Sequence, residues 1–402
     1  MIAYLVVFLV SAATTFVLTP VVRKLAIRFG VIDEPNDRKV HPTPRPTMGG
    51  LAMYGGMLAG LGLSHFLPFF SDMNQGSPDP LAAFVTCTLI VILGAVDDRR
   101  GIMALTKFTG QVFVVGVLIL LGVQLAYLYI PLGPNAGNIV DLGQDTSVLL
   151  TLLWTLTVIN AVNLLDGLDG LAAGMIAIAA SVFFITVIRT PSVYGDASSA
   201  ALLSVITAGI CVGFLPWNFY PAKIFMGDSG AMLLGMLLSI ATISGVGRNP
   251  FPPSGGDWAG VFGAVVVPLL ILLIPFLDIA LAIIRRTWRR QGLGQADKEH
   301  IHHRLMEIGH THRQAVLLMY LWSLLISGSA LAIGLIDGRL AVGAILVAAT
   351  LLFLFTALPR LERGRRNGDT PVKANAKPEP GVDAGESPTV ENPAAPATDR
   401  KT

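Results

Sequence analysis

Carboxylate and amide side chains recur at every third position in one short stretch of this chain. Asn160, Asn163, Asp166 and Asp169 follow one another at this spacing, and a glycine comes directly after each acid. In a helix, residues three apart lie on adjoining turns of one face. Four such residues extend over about 13 Å at the helical rise per residue, which is enough to contact more than one part of a nucleotide. The alternative is a set of hydrogen bonds between helices, which has less need of two carboxylates.

A second pair of acids, Asp97 and Asp98, lies at the end of an apolar run and is followed by Arg99 and Arg100. The C-terminal end of a helix disfavours anions, so a cation is expected near these carboxylates. Pairing with the adjacent arginines is the purely structural alternative. Gly101 excludes the DDxxD pattern of isoprenoid synthases, because the third acid is absent.

A third polar site precedes another apolar run, where Gly227, Asp228 and Ser229 follow one another. The backbone N–H groups at a helix N-terminus favour phosphate, and a carboxylate there is able to hold a divalent ion against it. A plain N-cap would contain the same residue types.

Histidines form the fourth polar group, in the sequence His300-x-His302-His303-Arg304. If this segment is helical, His300, His303 and Arg304 share one face and present donors suited to phosphate oxygens. A zinc site is the alternative, although no cysteine and no obvious fourth ligand lie nearby.

The elements that must position these groups are membrane-spanning helices. Of the 402 residues, 53% are hydrophobic and 13% are charged, and the mean hydropathy is +0.66. A span needs about 20 mostly apolar residues. This rule predicts an all-α integral membrane protein with about eleven transmembrane helices, near residues 2–22, 48–68, 80–96, 107–130, 147–164, 170–189, 198–216, 229–247, 259–284, 315–335 and 339–358.

The positive charges predict the orientation of these spans. The net charge is only +2, so no global basic field recruits nucleic acid. The connections that alternate onto one side of the membrane, together with the C-terminal tail, contain 25 of the 28 Lys and Arg residues. The positive-inside rule then places the N-terminus outside and the C-terminus in the cytoplasm.

The chain is predicted to form one membrane domain, residues 1–358, followed by a tail. Residues 359–402 are polar and rich in proline and alanine, which is typical of a disordered segment. The polar groups described above fall in the predicted cytoplasmic segments 23–47, 97–107, 160–170, 217–230 and 285–314. A secondary transporter would instead carry its carboxylates near the membrane midplane and show two matching halves, and no such repeat is visible.

The order of these motifs resembles the polyprenyl-phosphate N-acetylhexosamine-1-phosphate transferase family. The resemblance runs from about residue 33 to residue 313. It includes Arg38-Lys39-x-His41 with Gly49-Gly50, Asp97-Asp98, the Asn160 to Asp169 row, Met226-Gly-Asp228-Ser-Gly and the histidine motif. The histidine motif is similar to that of the branch that uses UDP-GlcNAc, whereas the branch that uses UDP-MurNAc-pentapeptide has a differently built segment.

The resemblance implies a multi-pass enzyme of the bacterial plasma membrane with its active site on the cytoplasmic face. Such an enzyme moves GlcNAc-1-phosphate from UDP-GlcNAc to undecaprenyl or decaprenyl phosphate and releases UMP, the first membrane step of a cell-envelope polysaccharide or cell-wall linker. Its expected cofactor is Mg²⁺, with Mn²⁺ as the alternative. The assembly state, with a homodimer as one option, is open.

The resemblance also implies a role for each polar residue. Asp97 and Asp98 match the catalytic pair, and Asp228 with Asn163 matches the metal ligands. The expected substrate-binding residues are Lys107, Asn160, Asp166, Asp169, His300, His302, His303 and Arg304. Direct attack by the lipid phosphate and a covalent carboxylate intermediate are both compatible with this set.

Overall fold

A computed structural model describes residues 1–34, 44–130, 138–189, 197–248, 310–335 and 343–356 of the chain. The predicted span 259–284, the histidine motif and the predicted tail lie outside these residues. Most described residues are helical.

Eleven α-helices are formed by the described residues, and two short hairpins complete the fold. The helices are α1 Ile2–Arg28, α2 Gly50–Phe66, α3 Ser71–Gly76, α4 Asp79–Arg100, α5 Ala104–Leu120, α6 Gln144–Leu165, α7 Leu171–Val187, α8 Ser199–Asn218, α9 Gly227–Thr242, α10 His312–Leu335 and α11 Gly343–Thr356. A 3₁₀ turn, Pro68–Phe70, precedes α3, and a π-helical turn, Ile243–Gly247, follows α9. Antiparallel strands pair as β1 Ile32–Asp33 with β2 Arg45–Pro46 and as β3 Tyr127–Ile130 with β4 Asn138–Asp141.

The helices agree with a membrane protein. Five of those described, namely α1, α4, α6, α8 and α9 with its π-helical turn, are long and apolar enough to cross a membrane. The number rises to six if α2 and the segment Pro68–Gly76, which is bent from it by 87°, form one span. Each predicted span that falls in the described part of the chain coincides with a helix, although α5, α7 and α11 are shorter than a full span.

The predicted span 107–130 is too long. Its helix, α5, ends at Leu120, and Gly122 follows in the left-handed conformation with φ of +85°. Glycine adopts this conformation without steric cost, so the chain turns away from the helix. Residues 127–130 then form β3, in which Tyr127 lies opposite Asp141. The predicted span thus includes an apolar stretch that forms a strand, because the hydrophobic pattern of a few residues does not distinguish a helix from a strand.

Helix α9 lies at the centre of the bundle. Every residue from Ser229 to Thr242 is buried, and α9 packs against α2, α4, α6 and α8. Its main neighbour, α4, runs alongside it and is joined to it at the far end by an ion pair between Asp79 and Arg248. Helices α1 and α7 pack on α8, and α10 packs on α7. The bundle therefore surrounds α9 with apolar helices and leaves its two ends as the places for polar groups.

Glycines allow the neighbours of α9 to approach its backbone directly. A Cβ atom added at Gly94 on α4 would lie 2.4 Å from Ser229 Cα, and one at Gly50 on α2 would lie 2.2 Å from Gly230 N. A Cβ atom at Gly235 on α9 would lie 2.6 Å from Ile159 Cα on α6. Small residues allow close packing of this kind between helices in membranes. Two of the three contacts fall in the first turn of α9, so they hold the polar ends of these helices together.

We expect Gly94→Ala to destabilise the protein. The added methyl group has no room against the backbone of α9, and overpacking of this kind costs about 1–3 kcal/mol. Gly62→Ala is the matched control, because Gly62 also lies in a helix but its Cβ would meet nothing within 4 Å. The midpoint of thermal unfolding in detergent should fall for the first variant and stay at or above the wild-type value for the second. Equal midpoints for Gly94→Ala and wild type would contradict the close approach of α4 and α9.

Candidate active site

The buried N-terminus of α9 is capped by an acid from another helix. Asp98, near the C-terminal end of α4, accepts hydrogen bonds from Asp228 N at 2.7 Å, from Ser229 N at 3.2 Å and from Ser229 Oγ at 2.7 Å. The first N–H groups of a helix have no partner within it, and a carboxylate there also interacts favourably with the helix dipole. The carboxylate of Asp98 thus accepts the hydrogen bonds of the N–H groups that were predicted to bind phosphate.

Gly227 leaves room for the carboxylate of Asp98 at the start of α9. It has a φ of +70°, and a Cβ atom at this position would lie 2.4 Å from Asp98 Oδ1 and 2.5 Å from Thr47 Oγ1. The glycine therefore serves both the backbone conformation and the close approach of the carboxylate.

The cation expected near the acids is Lys107 from the first turn of α5. Its Nζ atom lies 2.9 Å from Asp97 Oδ2 and contacts Asp228 Oδ1. The other oxygen of Asp97, Oδ1, accepts a hydrogen bond from Ile102 N at 2.9 Å. Within the described residues, Asp97 pairs with Lys107, and neither acid pairs with Arg99 or Arg100. The purely structural alternative, pairing with the adjacent arginines, therefore does not hold. Lys107 joins the end of α4 to the start of α9.

Asn163 and Asp166 bring the end of α6 to the same place. Asn163 Nδ2 donates to Asp228 Oδ1 at 2.7 Å. The carboxylate of Asp166 makes no hydrogen bond or ion pair with any described residue, although its backbone N–H donates to Asn163 O. Its withdrawal from water, followed by the charges of Asp228, Asp98 and two further aspartates, raises the pKa of Asp166 to about 8. A carboxyl group surrounded by other carboxylates favours its neutral form unless a cation is close.

The four polar residues from Asn160 to Asp169 do not lie on one face of a helix. Helix α6 ends at Leu165, so the predicted helical continuation to Asp169 is wrong. Asn160 Nδ2 donates to Gln111 Oε1 and to Leu156 O, both at 2.8 Å. This is the interhelical bonding that the sequence analysis kept as its alternative.

Asp169 stabilises a neighbouring loop. It is buried, and its Oδ2 accepts a hydrogen bond from Ala222 N at 2.9 Å. Gly170, in the left-handed conformation with φ of +80°, follows it and turns the chain into α7. The structure therefore brings together Asp97, Asp98, Lys107, Asn163, Asp166 and Asp228, whereas Asn160 and Asp169 form hydrogen bonds with other residues. His300, His302, His303 and Arg304 lie outside the described residues.

The segment before α2 supports the site from a third direction. Phe225 N donates to Pro46 O, Gly49 N donates to Phe225 O and Gly50 N donates to Met226 O, each at 2.9 Å. These bonds align the end of the predicted basic loop with the chain that leads into Asp228. The Gly49-Gly50 pair was the sequence signal for this approach, because only small residues permit two backbones to bond side by side here.

Gln111 is a polar residue near the site that the sequence analysis did not single out. It is completely buried in α5, where it accepts from Asn160 and donates to Met232 Sδ at 3.3 Å. A single glutamine in an apolar run is a weak signal, and only the structure shows that it joins α5, α6 and α9.

The site has an excess of negative charge that a divalent cation would relieve. Asp97, Asp98, Asp166 and Asp228 gather here, and among the described residues the ammonium group that pairs with them is that of Lys107, which contacts Asp97 and Asp228. Among the described residues, no three His, Cys, Asp or Glu side chains converge to hold a metal ion. Mg²⁺ needs no such cage, because it usually takes one or two carboxylates, several waters and substrate phosphates.

Asp228 and Asn163 fit this incomplete ligand set. Their side chains are already adjacent, and both belong to the charged cluster. Asn163 presently directs its amide nitrogen at Asp228, so it would have to present its amide oxygen in order to serve as a ligand.

Comparisons with known proteins show which family the chain belongs to. Residues 80–246, which include every residue of the cluster, match the model of glycosyl transferase family 4. The chain is 43% identical over 373 residues to a decaprenyl-phosphate N-acetylglucosaminephosphotransferase of Mycolicibacterium smegmatis, with 90% of each chain covered. It is 35% identical over 333 residues to a probable undecaprenyl-phosphate N-acetylglucosaminyl 1-phosphate transferase of Bacillus subtilis, with 83% of this chain and 86% of the relative covered.

A relative from the other branch covers less of the chain. A phospho-N-acetylmuramoyl-pentapeptide-transferase of Desulforudis audaxviator is 32% identical over 262 residues, which is 60% of this chain. The extent of the first two matches and the family match around the aspartate cluster lead to one conclusion: this chain belongs to the polyprenyl-phosphate N-acetylhexosamine-1-phosphate transferases of glycosyl transferase family 4.

Proposed function

We propose that this protein transfers GlcNAc-1-phosphate from UDP-GlcNAc to a polyprenyl phosphate and releases UMP. The observation that carries the proposal is the cluster of Asp97, Asp98, Asp166 and Asp228 around Lys107, at one end of an apolar helix bundle. Relatives that share 35–43% of their residues with this chain are named as phosphotransferases of N-acetylglucosamine with a polyprenyl phosphate acceptor. The pentapeptide branch is the weaker alternative, because its relative aligns with less of the chain.

The reaction must bring together two groups that are both anionic. An oxygen of the lipid phosphate attacks the phosphorus atom next to the sugar, a new P–O bond forms, and the bond to the UMP phosphate breaks. Catalysis of such a transfer rests on positioning and on stabilisation of charge. Lys107 supplies a fixed positive charge at this site, and it is already oriented by Asp97 and Asp228.

A Mg²⁺ ion would be held by Asp228 and Asn163, and when bound it supplies neutralisation of phosphate charge and Lewis-acid polarisation. Asp166 would contribute negative charge next to that position. The rest of the proposed mechanism depends on the residues of the chain itself.

The acceptor needs little help from a base. The second pKa of a phosphate monoester is about 6, so the attacking group is mostly ionised at neutral pH. Asp97 is paired with Lys107 and Ile102 N, and Asp98 accepts three hydrogen bonds at the start of α9. We therefore assign to this catalytic pair the positioning of Lys107 and Asp228, and we expect base catalysis to contribute little.

For the membrane arrangement we propose eleven spans, an outside N-terminus and a cytoplasmic C-terminus. The asymmetry of Lys and Arg supports it. On this arrangement the aspartate cluster faces the cytoplasm, where the nucleotide substrate is available. The segment 359–402 would then be a cytoplasmic tail.

We expect purified protein in detergent to release UMP from UDP-GlcNAc when polyprenyl phosphate and Mg²⁺ are present. Asp228→Asn should lower kcat by about 10²-fold or more, because it removes charge from the position where phosphate charge is stabilised. Asp72→Asn is the matched control, since Asp72 is an exposed acid on α3. UMP release is measured by chromatography, with UDP-MurNAc-pentapeptide as the competing substrate. Release from the pentapeptide nucleotide alone would move the protein to the other branch, and full activity of Asp228→Asn would refute the role of this residue.

Two further variants separate the cap from the charge cluster. Asp98→Asn should lower the midpoint of thermal unfolding, because an amide cannot accept all three hydrogen bonds and loss of a cap costs about 1–2 kcal/mol. Asp166→Asn should unfold at the wild-type temperature or above it in EDTA, because it loses no hydrogen bond and relieves repulsion. Both should reduce UMP release at least about tenfold. An Asp98→Asn variant as stable as wild type would show that Asp98 does not hold α9 in place.

Reporter fusions test the membrane arrangement. A reporter active only in the cytoplasm should give a signal when fused after Thr402, and one active only outside the cytoplasm should give none. Fusions of the same two reporters at the N-terminus should give the reverse pattern. Signals from the same reporter at both ends would require an even number of spans and would overturn the proposed count.

A further inference from the structure

Four basic side chains gather where α1 ends, at the same end of the bundle as the aspartate cluster. Arg23, Lys24 and Arg28 lie in the last two turns of α1, and Lys223 lies in the loop before α9. We call these four residues the basic corner. None of them forms an ion pair with another described residue, whereas Lys107 and Arg248 do. The corner therefore has positive charge that no described acid neutralises.

A hydrogen bond orders the centre of the basic corner. Arg23 Nε donates to Lys223 O at 3.0 Å, which joins the end of α1 to the loop before α9. With Nε engaged, the two terminal nitrogens of the guanidinium group remain to bind an anion. Their planar arrangement suits two oxygens of one phosphate group. Lys223, whose carbonyl group orients Arg23, is itself exposed and carries a second charge.

An aromatic pair lies directly beside the basic corner. Lys223 Nζ lies 5.0 Å from the centroid of the Trp217 ring, and the Phe16 ring lies 5.5 Å from the same ring. Trp217 Nε1 is buried and has no hydrogen-bond partner among the described residues. Phe16 and the next outward-facing positions of α1, Val17 and Val21, are exposed and apolar. Tryptophan and basic residues are typical of the level at which the lipid headgroups meet the acyl chains.

The basic corner is separate from the aspartate cluster. Helix α1 packs on α2 and α8, whereas the cluster is built from α4, α5, α6 and α9. Arg23 and Lys223 take no part in the contacts that join Lys107, Asp97, Asn163 and Asp228.

We propose that the basic corner binds the phosphate of an anionic phospholipid from the surrounding membrane leaflet. Arg23 and Lys223 contact the phosphate oxygens, while Lys24 and Arg28 add long-range attraction. The first part of an acyl chain lies along Phe16, Trp217 and the exposed apolar face of α1. Basic pockets at the ends of membrane helices recognise anionic headgroups in this way. The site holds α1 to the loop before α9, and its occupation does not depend on the proposed transferase reaction.

Native mass spectrometry of the full chain in detergent tests this proposal. Phosphatidylglycerol and phosphatidylcholine with identical acyl chains are titrated separately, and the fraction of protein that retains each lipid is measured. We expect preferential retention of phosphatidylglycerol. Arg23→Gln should weaken it about fivefold, which corresponds to about 1 kcal/mol for one basic residue at an anionic surface. Retention of phosphatidylcholine should not change.

Companion variants make the result specific. Lys223→Gln should also weaken retention about fivefold while leaving the backbone carbonyl that binds Arg23 intact, so it removes charge without disturbing this hydrogen bond. Arg23→Lys should be intermediate, because it keeps charge but loses the two-pronged geometry. Arg189→Gln, an exposed position just after α7, is the control of equal charge and should behave as wild type. Equal weakening by Arg189→Gln would reduce the effect to net charge and would overturn the proposal.

Two further measurements distinguish a membrane phospholipid from inorganic phosphate and from polyprenyl phosphate as the ligand of the basic corner. Inorganic phosphate should not displace phosphatidylglycerol at millimolar concentration, and complete displacement would indicate a site for a soluble anion. The KM for polyprenyl phosphate should be the same in wild type and in Arg23→Gln. A KM that rises by the same factor as lipid retention falls would identify the corner as part of the acceptor site, and the separate lipid site would then be rejected.

Discussion

The structure of the candidate site depends on one interaction, the capping of a buried helix by an acid from its neighbour. Helix α9 is buried from Ser229 onward, and no side chain of its own segment caps it. Buried N–H groups without acceptors are costly, and the carboxylate of Asp98 on α4 supplies the acceptors. Because the hydrogen bonds run to Asp228 N and to Ser229, the cap also fixes the position of Asp228, the residue proposed to hold a metal ion. The glycines at 50 and 94 permit the helix backbones to approach closely enough for this bond to form.

The cap concentrates negative charge, and the remaining polar groups of the site compensate for it only in part. Lys107 contacts both Asp97 and Asp228, but within the described part of the chain Asp98 and Asp166 have no ion pair. Asp166 shows the result, since its neighbours and its withdrawal from water raise its pKa to about 8. A stable protein core would not be expected to retain such a group, whereas a site that binds a cation together with phosphates has a use for it. The same side chains therefore hold the helices together and provide the charges of the site.

The polar row on α6 illustrates how little spacing alone reveals about role. Asn160 and Asn163 are one turn apart, yet the first bonds Gln111 inside the bundle and the second bonds Asp228 in the cluster. The two acids that continue the row lie beyond the end of the helix, where Asp166 stays in the charged group and Asp169 binds the backbone of a neighbouring loop. Regular spacing predicted a polar site at this end of α6, and two members of the row, Asn163 and Asp166, do lie in the charged cluster. It did not predict which members of the row would face that site, because the helix ends within the row.

The sequence by itself determined that this is a helical membrane protein of a recognisable transferase family, and it singled out the aspartates that the structure gathers at one end of the bundle. Long apolar runs and a fixed order of polar motifs carry that information, because crossing a bilayer leaves the backbone few alternatives to helix. Only the tertiary structure decided that Asp98 caps α9, that Lys107 is the cation between Asp97 and Asp228, that Gln111 is the partner of Asn160 and that Arg23 meets Lys223. Except for the pair of Lys107 and Asp97, which lie on consecutive helices, each of these contacts joins residues far apart in the chain. Their formation depends on the packing of helices around α9, and local sequence patterns do not specify which helices pack against each other.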